Sequence, residues 1–529
     1  MKKNIFYLLR SGSHSFLQGI GMLLLLVMIS FWSSCRKDFE YVQSNGRLGF
    51  STDTVFLDTV FNNIGSSTYS LKVYNRSDDD IEIPNIRLAQ GSESGYRLNV
   101  DGAAGKEFQN IPLLAKDSLF IFIETTFAIS QNDALTFLYT DDLIFDTGPN
   151  EQTVSLVTLV QDAVFIFPRT NADGTKESIL LGLDAEGNQL RVEGVELAAD
   201  QLNFTNEKPY VIYGYAAVPE NETLEIDAGA RVHFHQNSGL WVQNGATLKV
   251  NGAISSDTLL LENEVIFEGD RLEPELADTP GQWGTVWMAN GSTDNEIDHL
   301  TIKNATVGLL VESGATGDTP ALTLRNSKVY NASSVNLWAR NSAIVAENMV
   351  FGSAGNISVY CNLGGNYRFT HTTIANYWSR GFRGGEALRI DNEIELASGE
   401  RFTGNLVNAT FENSIIDGSS LLELALIDNG QNDFNFLFDH TYIRFDDISG
   451  QLSGLPVYDF ENTARYNSVL LNENIPYKGT DQNDFRLLEN APIIGIGSTS
   501  AALIVPFDIL GIDRTTAPDL GAFQFVPIP

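Results

Sequence analysis

One eight-residue pattern recurs six times between residues 300 and 443, and it constrains the fold of this 529-residue chain more than any other feature. Each copy has apolar residues at positions i and i+2, a polar residue two positions later, and a further apolar residue at its end. The polar positions lie 22, 22, 23, 42 and 27 residues apart and are Asn304, Asn326, Asn348, His371, Asn413 and His440. A period of this length is typical of a solenoid.

The pattern predicts strands rather than helices. Residues i and i+2 of a strand point to the same side, so the apolar pair enters a shared core. The Asn or His then falls where the chain turns, because Asn tolerates left-handed backbone and its amide can bond to its equivalent one coil away. We therefore predict a parallel β-helix with these six residues as a structural turn ladder. The 42-residue interval fits either two coils or one coil with a long insertion.

The flanks of the repeat strengthen this prediction. Residues 224–252 and 281–286 resemble the opening coils of pectate-lyase-like surface proteins. Residues 484–523 resemble the closing segment that caps the last coil of bacterial right-handed parallel β-helix repeat proteins. The resemblance implies an all-β fold, with a right-handed parallel β-helix over residues 207–529 after a connecting segment at 166–206. It implies no single activity, because the family includes lyases, hydrolases, adhesins and scaffolds.

Residues 47–165 follow a different pattern, in which short alternating strands are separated by turn clusters such as residues 75–80. This spacing predicts a β-sandwich. The segment resembles an immunoglobulin-like module without the Cys…Trp…Cys core of antibody domains. We expect it to act as a spacer.

The N-terminus has the features of an export signal over residues 1–35. Basic residues precede an apolar run at 20–32, and two serines precede Cys35. A transmembrane anchor and an ordinary cleaved peptide are the alternatives. The position of Cys35 resembles a bacterial lipobox, which implies a lipidated Cys35, a tether at 36–46 and an outer-membrane lipoprotein of Bacteroidota type. The charged run after Cys35 resembles a surface-export signal, which implies an outward-facing location.

Charge and cysteine content limit the partners. Asp and Glu total 67 against 33 Lys and Arg, giving a net charge of −34, so nucleic acid binding is disfavoured. Only two cysteines occur. Lipidation of Cys35 would leave Cys361 as a single thiol, which we expect to be buried and inert.

No catalytic signature is present in the sequence. The Asn-Thr-Asp and Gly-His-Gly motifs of polygalacturonases do not occur, and Asp446-Asp447 stands without companions. We therefore expect a non-enzymatic, membrane-anchored scaffold that binds a polysaccharide or a surface protein. The alternative is a polysaccharide lyase or glycoside hydrolase that acts on an acidic polysaccharide in a groove of the β-helix.

The long interval between His371 and Asn413 holds the candidate ligand-binding residues. Arginines and aromatic rings together suit an acidic glycan, through contacts with carboxylates and ring stacking. Alternatively, the arginines pair with the abundant carboxylates of the chain. The candidates are Tyr377, Trp378, Arg380, Arg383 and Arg389.

Metal binding is considered at two places, and we expect no cofactor at either. An acidic segment offers oxygen ligands to Ca²⁺ without the regular spacing of a dedicated loop, so solvated charge is the favoured interpretation. Its members are Glu268, Asp270, Glu273, Glu275 and Asp278. His233 and His235 share one strand face, and we expect both to face solvent because Val232 and Phe234 take the inward positions.

Overall fold

The computed structural model describes residues 40–127, 136–183, 187–314, 319–396 and 398–527. Within these ranges no helix is both long and apolar enough to cross a bilayer. The predicted signal and lipidation site at Cys35, with the start of the tether, lie outside the described residues. The described residues form two compact units, one within 40–57, 65–127 and 138–158 and the other within 58–64, 136–137 and 159–527.

The first unit is built from two sheets around one apolar core. The six-stranded sheet contains Val42–Gln43, Thr54–Phe61, Ile81–Leu88, Glu107–Leu113, Thr136–Phe145 and Gln152–Gln161, of which residues 58–61, 136–137 and 159–161 are grouped with the second unit. The five-stranded sheet is antiparallel throughout and contains Gly49–Phe50, Tyr69–Tyr74, Tyr96–Val100, Ala103–Gly105 and Ser118–Thr125. Alternate residues such as Leu71 and Val73 are fully buried, as expected for strands with one face on a core.

The second unit is a parallel β-helix-like solenoid with three faces, which we name A, B and C. Faces A and B belong to one 18-stranded sheet, because Val335–Glu347 and Ile357–Thr370 run through both. The other strands of face A are Gln189–Glu196, Tyr215–Val218, Gly239–Val242, Val286–Met288, Val307–Val311, Leu388–Asp391 and Leu424–Ile427.

Faces B and C complete each coil. The other face B strands are Asn203–Phe204, Thr223–Asp227, Thr247–Asn251, Asn295–Asp298, Leu322–Arg325, Leu406–Glu412, Leu437–Asp439 and Tyr466–Asn467. Face C is a separate 11-stranded sheet of Val164–Ile166, Tyr210–Ile212, Arg231–Phe234, Val265–Gly269, Leu300–Lys303, Lys328–Tyr330, Val350–Phe351, Thr373–Asn376, Ile415–Gly418, Tyr442–Ile443 and Leu470–Leu471.

Coil-to-coil register keeps like residues above one another in the core. Phe369 pairs with Phe411, and Phe411 continues to Phe438, with ring centroids 4.9 and 5.2 Å apart. Cys361 is buried in the same core, and burial raises the pKa of its thiol. The apolar pairs of the repeat therefore build the stacked interior of the solenoid.

Short elements lie outside the coils. The strand Ser178–Leu183 forms a hairpin with Gln189–Glu196, and two further hairpins join Glu393–Glu395 to Arg401–Thr403 and Tyr477–Gly479 to Asp484–Leu487. The one α-helix among the described residues is Thr499–Ile504. The 3₁₀ turns are Gly91–Glu93, Gly148–Asn150, Ala199–Gln201, Pro274–Leu276, Pro456–Tyr458 and Thr480–Gln482.

The C-terminal segment corrects one expectation. We expected it to cap the last coil, but residues 475–525 pack on the outer side of face C, against Val350, Ile415 and Tyr442. Leu452 and Phe460, which precede the last strands, pack against the solenoid core. The physical reason is that face C carries apolar side chains outward as well as inward, and these require a cover.

Candidate functional site

Five of the six predicted ladder residues form one column at the corner between faces B and C. Asn326, Asn348, His371, Asn413 and His440 all have left-handed backbone, with φ between 45° and 54°. Each backbone N–H donates to a carbonyl of the next coil over 2.9–3.1 Å. Side-chain hydrogen bonds join two pairs of neighbouring ladder residues. Asn348 Nδ2 donates to Asn326 Oδ1 at 2.9 Å, and Asn413 Nδ2 lies 3.1 Å from His371 Nε2.

The prediction that Asn304 belongs to the same ladder is wrong. Asn304 lies at the corner between faces C and A. It aligns with Asn331, whose Nδ2 donates to Asn304 Oδ1 at 2.7 Å. In that coil the apolar pair of the motif belongs to a face C strand, and His299 occupies the first column instead. Two corners of the coil both require left-handed backbone, so the same local pattern serves both.

The C-terminal segment docks on the column. Asn413 Nδ2 donates to the Ser498 carbonyl at 2.9 Å, and the Ser498 N–H donates back to Asn413 Oδ1 at 2.6 Å. Asn348 Nδ2 donates to the Phe507 carbonyl at 2.9 Å. The ladder therefore has a structural role that joins the coils to the segment over face C.

The 42-residue interval is one coil with two insertions, because His371 and Asn413 lie on adjacent coils. Residues 377–387 leave the coil between faces C and A, and residues 392–405 leave it between faces A and B. Four of the five candidate ligand-binding residues lie in the first insertion, and the fifth, Arg389, lies on face A. They do not converge on one cleft.

Most of these candidates are engaged with other side chains. Arg383 is buried and donates to Glu423 Oε1 at 2.6 Å, where burial raises the pKa of Glu423 to about 7. Arg389 donates to Glu386 at 2.8 Å. The remaining contacts are Tyr377 Oη to Asp417 at 2.9 Å, Arg380 to Asp278 at 3.9 Å, and a partly buried Trp378 against Gly355.

The acidic segment does not assemble a metal site. Glu268 binds Lys303 Nζ at 2.7 Å, Asp270 binds His235 at 2.7 Å, Glu273 binds Arg271 at 3.1 Å, and Glu275 is exposed. Over the part of the chain that the structure describes, no three His, Cys, Asp or Glu side chains group as metal ligands.

The expectation that both histidines face solvent is wrong for His233. Its side chain is buried because the Phe61 ring packs 4.9 Å away, and this burial lowers the pKa of His233. His235 is partly exposed and stacks on Tyr213, with ring centroids 4.4 Å apart.

The outer side of face A carries a column of large side chains that the sequence analysis missed. Neighbouring strands place these residues directly above one another, and they alternate with core residues, so they point away from the core. In order along the solenoid they are Trp287, Leu310, Trp338, Tyr360 and Arg389, followed by the small Ala425. We call the first five residues the platform.

Two rings and one cation of the platform, with the neighbouring Arg340, form one array. The Trp338 and Tyr360 rings are 5.9 Å apart and nearly parallel, at 13°. The Arg340 and Arg389 guanidinium groups lie 5.9 Å from the Trp338 and Tyr360 rings, respectively. Cations over ring faces hold such side chains in place.

A polar row flanks the platform two residues further along each strand. Glu312 accepts from Trp287 Nε1 at 2.8 Å and pairs with Arg340. On the neighbouring strands Asp391 accepts from Tyr360 Oη at 2.6 Å and from Asn362 Nδ2 at 2.7 Å. Burial raises the pKa of Asp391. The site therefore combines an apolar aromatic surface with oriented donors and acceptors.

The platform is bounded differently at its two ends. Before Trp287 the column continues to Trp241, which is only 7% exposed because Ile179 and Leu181 of the hairpin strand Ser178–Leu183 pack over it. Beyond Arg389 a cavity of about 670 Å³ opens over Ala425. Its lining includes Glu386, Asp428, Tyr458 and Arg465.

A sequence signal for the platform was present. Trp287, Trp338 and Tyr360 each stand between two apolar residues, as in Val286-Trp287-Met288 and Val359-Tyr360-Cys361. An aromatic residue between two inward positions must point outward from a strand. Without the coil register, however, nothing in the sequence indicates that these rings are stacked above one another.

Comparisons with known proteins assign no family. No family model and no curated protein matches this chain. Among solved structures, an α-1,3-glucanase of family GH87 from Streptomyces thermodiastaticus strain HF3-3 is 11% identical over 70% of this chain and 79% of that chain, with a TM-score of 0.21. The periplasmic chaperone SfaE is 11% identical over 28% of this chain and 83% of the chaperone, with a TM-score of 0.16.

A family 123 glycoside hydrolase from Clostridium perfringens, described as hydrolysing glycolipid glycans, is 10% identical, with a TM-score of 0.15. That match spans 21% of this chain and 26% of the hydrolase. At these TM-scores the likenesses assign neither a family nor an activity.

Proposed function

We propose that the protein binds a carbohydrate chain along face A of the solenoid. The observation that carries this proposal is the outward column of Trp287, Trp338 and Tyr360. The C–H face of a pyranose ring is apolar, so stacking on an aromatic ring removes apolar surface from water. Polar groups beside the rings then meet the sugar hydroxyls, as in other sites that combine an apolar surface with a few oriented polar groups.

The column also sets the direction of the bound chain. The platform residues lie on successive strands, spaced about 4.8 Å apart, and so follow the solenoid axis. A glycan that runs along this axis contacts one strand after another and remains beside the row of Glu312, Arg340, Asn362 and Asp391. A glycan across the axis would contact a single ring.

Replacement of Trp338 by alanine tests the proposal on a glycan array. We expect Trp338→Ala to weaken every bound glycan at least tenfold, which corresponds to about 1.4 kcal/mol. The matched control is Trp378→Ala, which removes a partly buried tryptophan outside the platform and should change affinity less than twofold. If Trp378→Ala weakened binding more than Trp338→Ala, the first insertion would be favoured as the binding site and the platform proposal would be contradicted.

Hydrolysis of the bound chain is the second candidate function, and Asp391 is the observation that favours it. A buried carboxyl group with a raised pKa suits a general acid, and this one accepts a hydrogen bond from the platform residue Tyr360. The second carboxylate that hydrolysis requires would come from Glu386 or Asp428, which line the adjoining cavity. New reducing ends released from a bound glycan, and lost in Asp391→Asn, would establish this function.

The proposed location is the outer membrane, with a lipid anchor at Cys35 and an immunoglobulin-like spacer before the solenoid. Two or three acyl chains are sufficient for stable anchoring. Radiolabelled palmitate should label the protein in cells and not Cys35→Ala, which should leave the membrane fraction. Palmitate labelling of Cys35→Ala would contradict the anchor.

A further inference from the structure

We propose that the cavity beyond the platform receives the end of the glycan chain and selects an acidic terminal sugar, with Arg465 as the residue that contacts its carboxylate. This inference rests on the proposed function, since the platform delivers the chain to the cavity. It adds a substrate class, namely glycans with a terminal uronic acid.

The cavity lies where the column of large side chains stops. Arg389 is followed on the next strand by Ala425, so the surface drops by the length of a side chain. A volume of about 670 Å³ is within the usual range for small-molecule sites, about 300–1,000 Å³. The cavity therefore has room for a sugar residue that continues the line of the platform.

One side of the cavity is formed by the coil that follows the last strand of face A. Leu424–Ile427 is the last strand of face A among the described residues, and the following coil passes this face as the irregular segment 446–465. Leu452, Leu455 and Pro456 of that segment line the cavity. The segment is fixed to the last strand because the Leu426 N–H donates to Tyr458 Oη at 2.8 Å. A glycan chain that lies on the platform would meet this segment beyond Ala425.

Arg465 has donors that no carboxylate among the described residues uses. Its Nη1 donates to the Pro456 carbonyl at 3.2 Å, and its guanidinium lies 5.0 Å from the Phe436 ring. Across the described part of the chain it has no ion-pair partner, whereas Arg389 in the same lining is paired with Glu386.

A carboxylate is the ligand group that matches this arginine. The guanidinium presents parallel N–H groups that fit two carboxylate oxygens, and its stacked, backbone-bonded position reduces the entropy lost on binding. The lining holds two carboxylates: Glu386 is paired with Arg389, and Asp428 accepts from Asn392 and from the Gly430 N–H. Arg465 therefore remains available to a ligand.

Paired glycans on an array test the inference. The two members of each pair are attached through the reducing end and differ only in a terminal glucuronic acid or glucose. We expect the wild-type protein to bind the glucuronic acid member at least tenfold more tightly, and Arg465→Gln to bind both members equally. Ala425→Phe fills the cavity from its floor, leaves Arg465 in place, and should also abolish the preference.

The outcomes separate the two proposals. Equal binding of both members by the wild type, together with a loss of all binding in Trp338→Ala, would overturn terminal selection and leave the platform standing. Binding that survives Trp338→Ala would overturn both. A preference that persists in folded Arg465→Gln and Ala425→Phe, with circular dichroism unchanged, would also overturn the inference.

Discussion

Left-handed backbone at one corner explains why the repeat carries Asn and His there. Five consecutive coils place such a residue at φ between 45° and 54°, a conformation that costs most L-residues about 1–2 kcal/mol. Asn is least penalised, and its amide also bonds to the coil above or to the C-terminal segment. The sequence therefore revealed these residues through a backbone requirement.

Asn413 allows the backbone and side-chain contributions to be separated. We expect Asn413→Ala to lower the free energy of unfolding by about 3 kcal/mol, because it loses the side-chain bonds to Ser498 and His371 and places a Cβ-bearing residue without a polar side chain at φ 48°. Asn413→Gly should lose about 1 kcal/mol less, since glycine accepts this backbone. Urea denaturation measures both variants.

The control for this pair is Asn490→Ala. Asn490 is exposed at φ 68°, so its replacement carries the backbone cost of about 1 kcal/mol and little else. If Asn413→Ala and Asn490→Ala were equally destabilising, the side-chain bonds to Ser498 would contribute nothing.

The burial of His371 predicts that part of the folding stability is lost in acid. Burial, together with the nearby Arg514 charge, holds the pKa of His371 well below its usual value near 6.5. Below pH 6.5 the unfolded chain binds a proton on this histidine that the folded protein does not, so the contribution of His371 to stability falls as pH falls. The slope is about 1.4 kcal/mol per pH unit until the folded-state pKa is reached.

His371→Asn should flatten this fall, because Asn already occupies the same position in the neighbouring coils at 348 and 413. Its matched control is His440→Asn, since His440 stands in the same column but is partly exposed beside Asp439. Chemical denaturation between pH 7 and 5 gives the slopes. An unchanged slope in His371→Asn would show that another group governs the acid response.

At the scale of elements, the periodic apolar pairs predicted the strands of the solenoid, and they could do so because inward positions repeat every two residues. The corner at which a motif falls could not be predicted, as Asn304 shows, because two corners share the same backbone requirement. The platform was missed for a related reason. Its rings become neighbours only through the pairing of strands that are far apart in sequence.

The C-terminal segment shows a different limit of sequence analysis. Its resemblance to a closing segment was visible, but its place was not, because the residues it covers are strand positions that a local pattern cannot distinguish from solvent-facing ones. Val350, Ile415 and Tyr442 point outward on face C and are nevertheless buried. Only the assembled structure shows what covers them.

Removal of residues 474–529 should expose this outer side of face C. Each large apolar side chain that returns to water costs about 1.5–3 kcal/mol, so the shortened chain should have a lower Tm, bind the dye ANS and aggregate. A chain ending at Phe525 is the control and should behave as the full protein. A soluble, ANS-negative product of the longer truncation would contradict the packing role of the segment.

At the scale of the whole molecule, the net charge of −34 opposes any anionic ligand at long range, while the cavity at Arg465 offers local attraction. Salt affects these two contributions differently, because the Debye length shortens from about 30 Å at 0.01 M salt to about 10 Å at 0.1 M. Contacts made within a few ångströms are screened much less than the field of distant surface carboxylates.

The association rate of a glucuronic acid-terminated oligosaccharide should therefore rise severalfold between 0.01 and 0.15 M salt, because screening removes the repulsion of the surface from the approach. The glucose-terminated oligosaccharide of the same length is neutral and should associate at a rate that salt does not change. Surface plasmon resonance on the full protein measures both rates. A rate that falls with salt for the acidic ligand would mean that the cationic groups beside the cavity, rather than the 67 carboxylates of the chain, dominate the field that an approaching glycan meets.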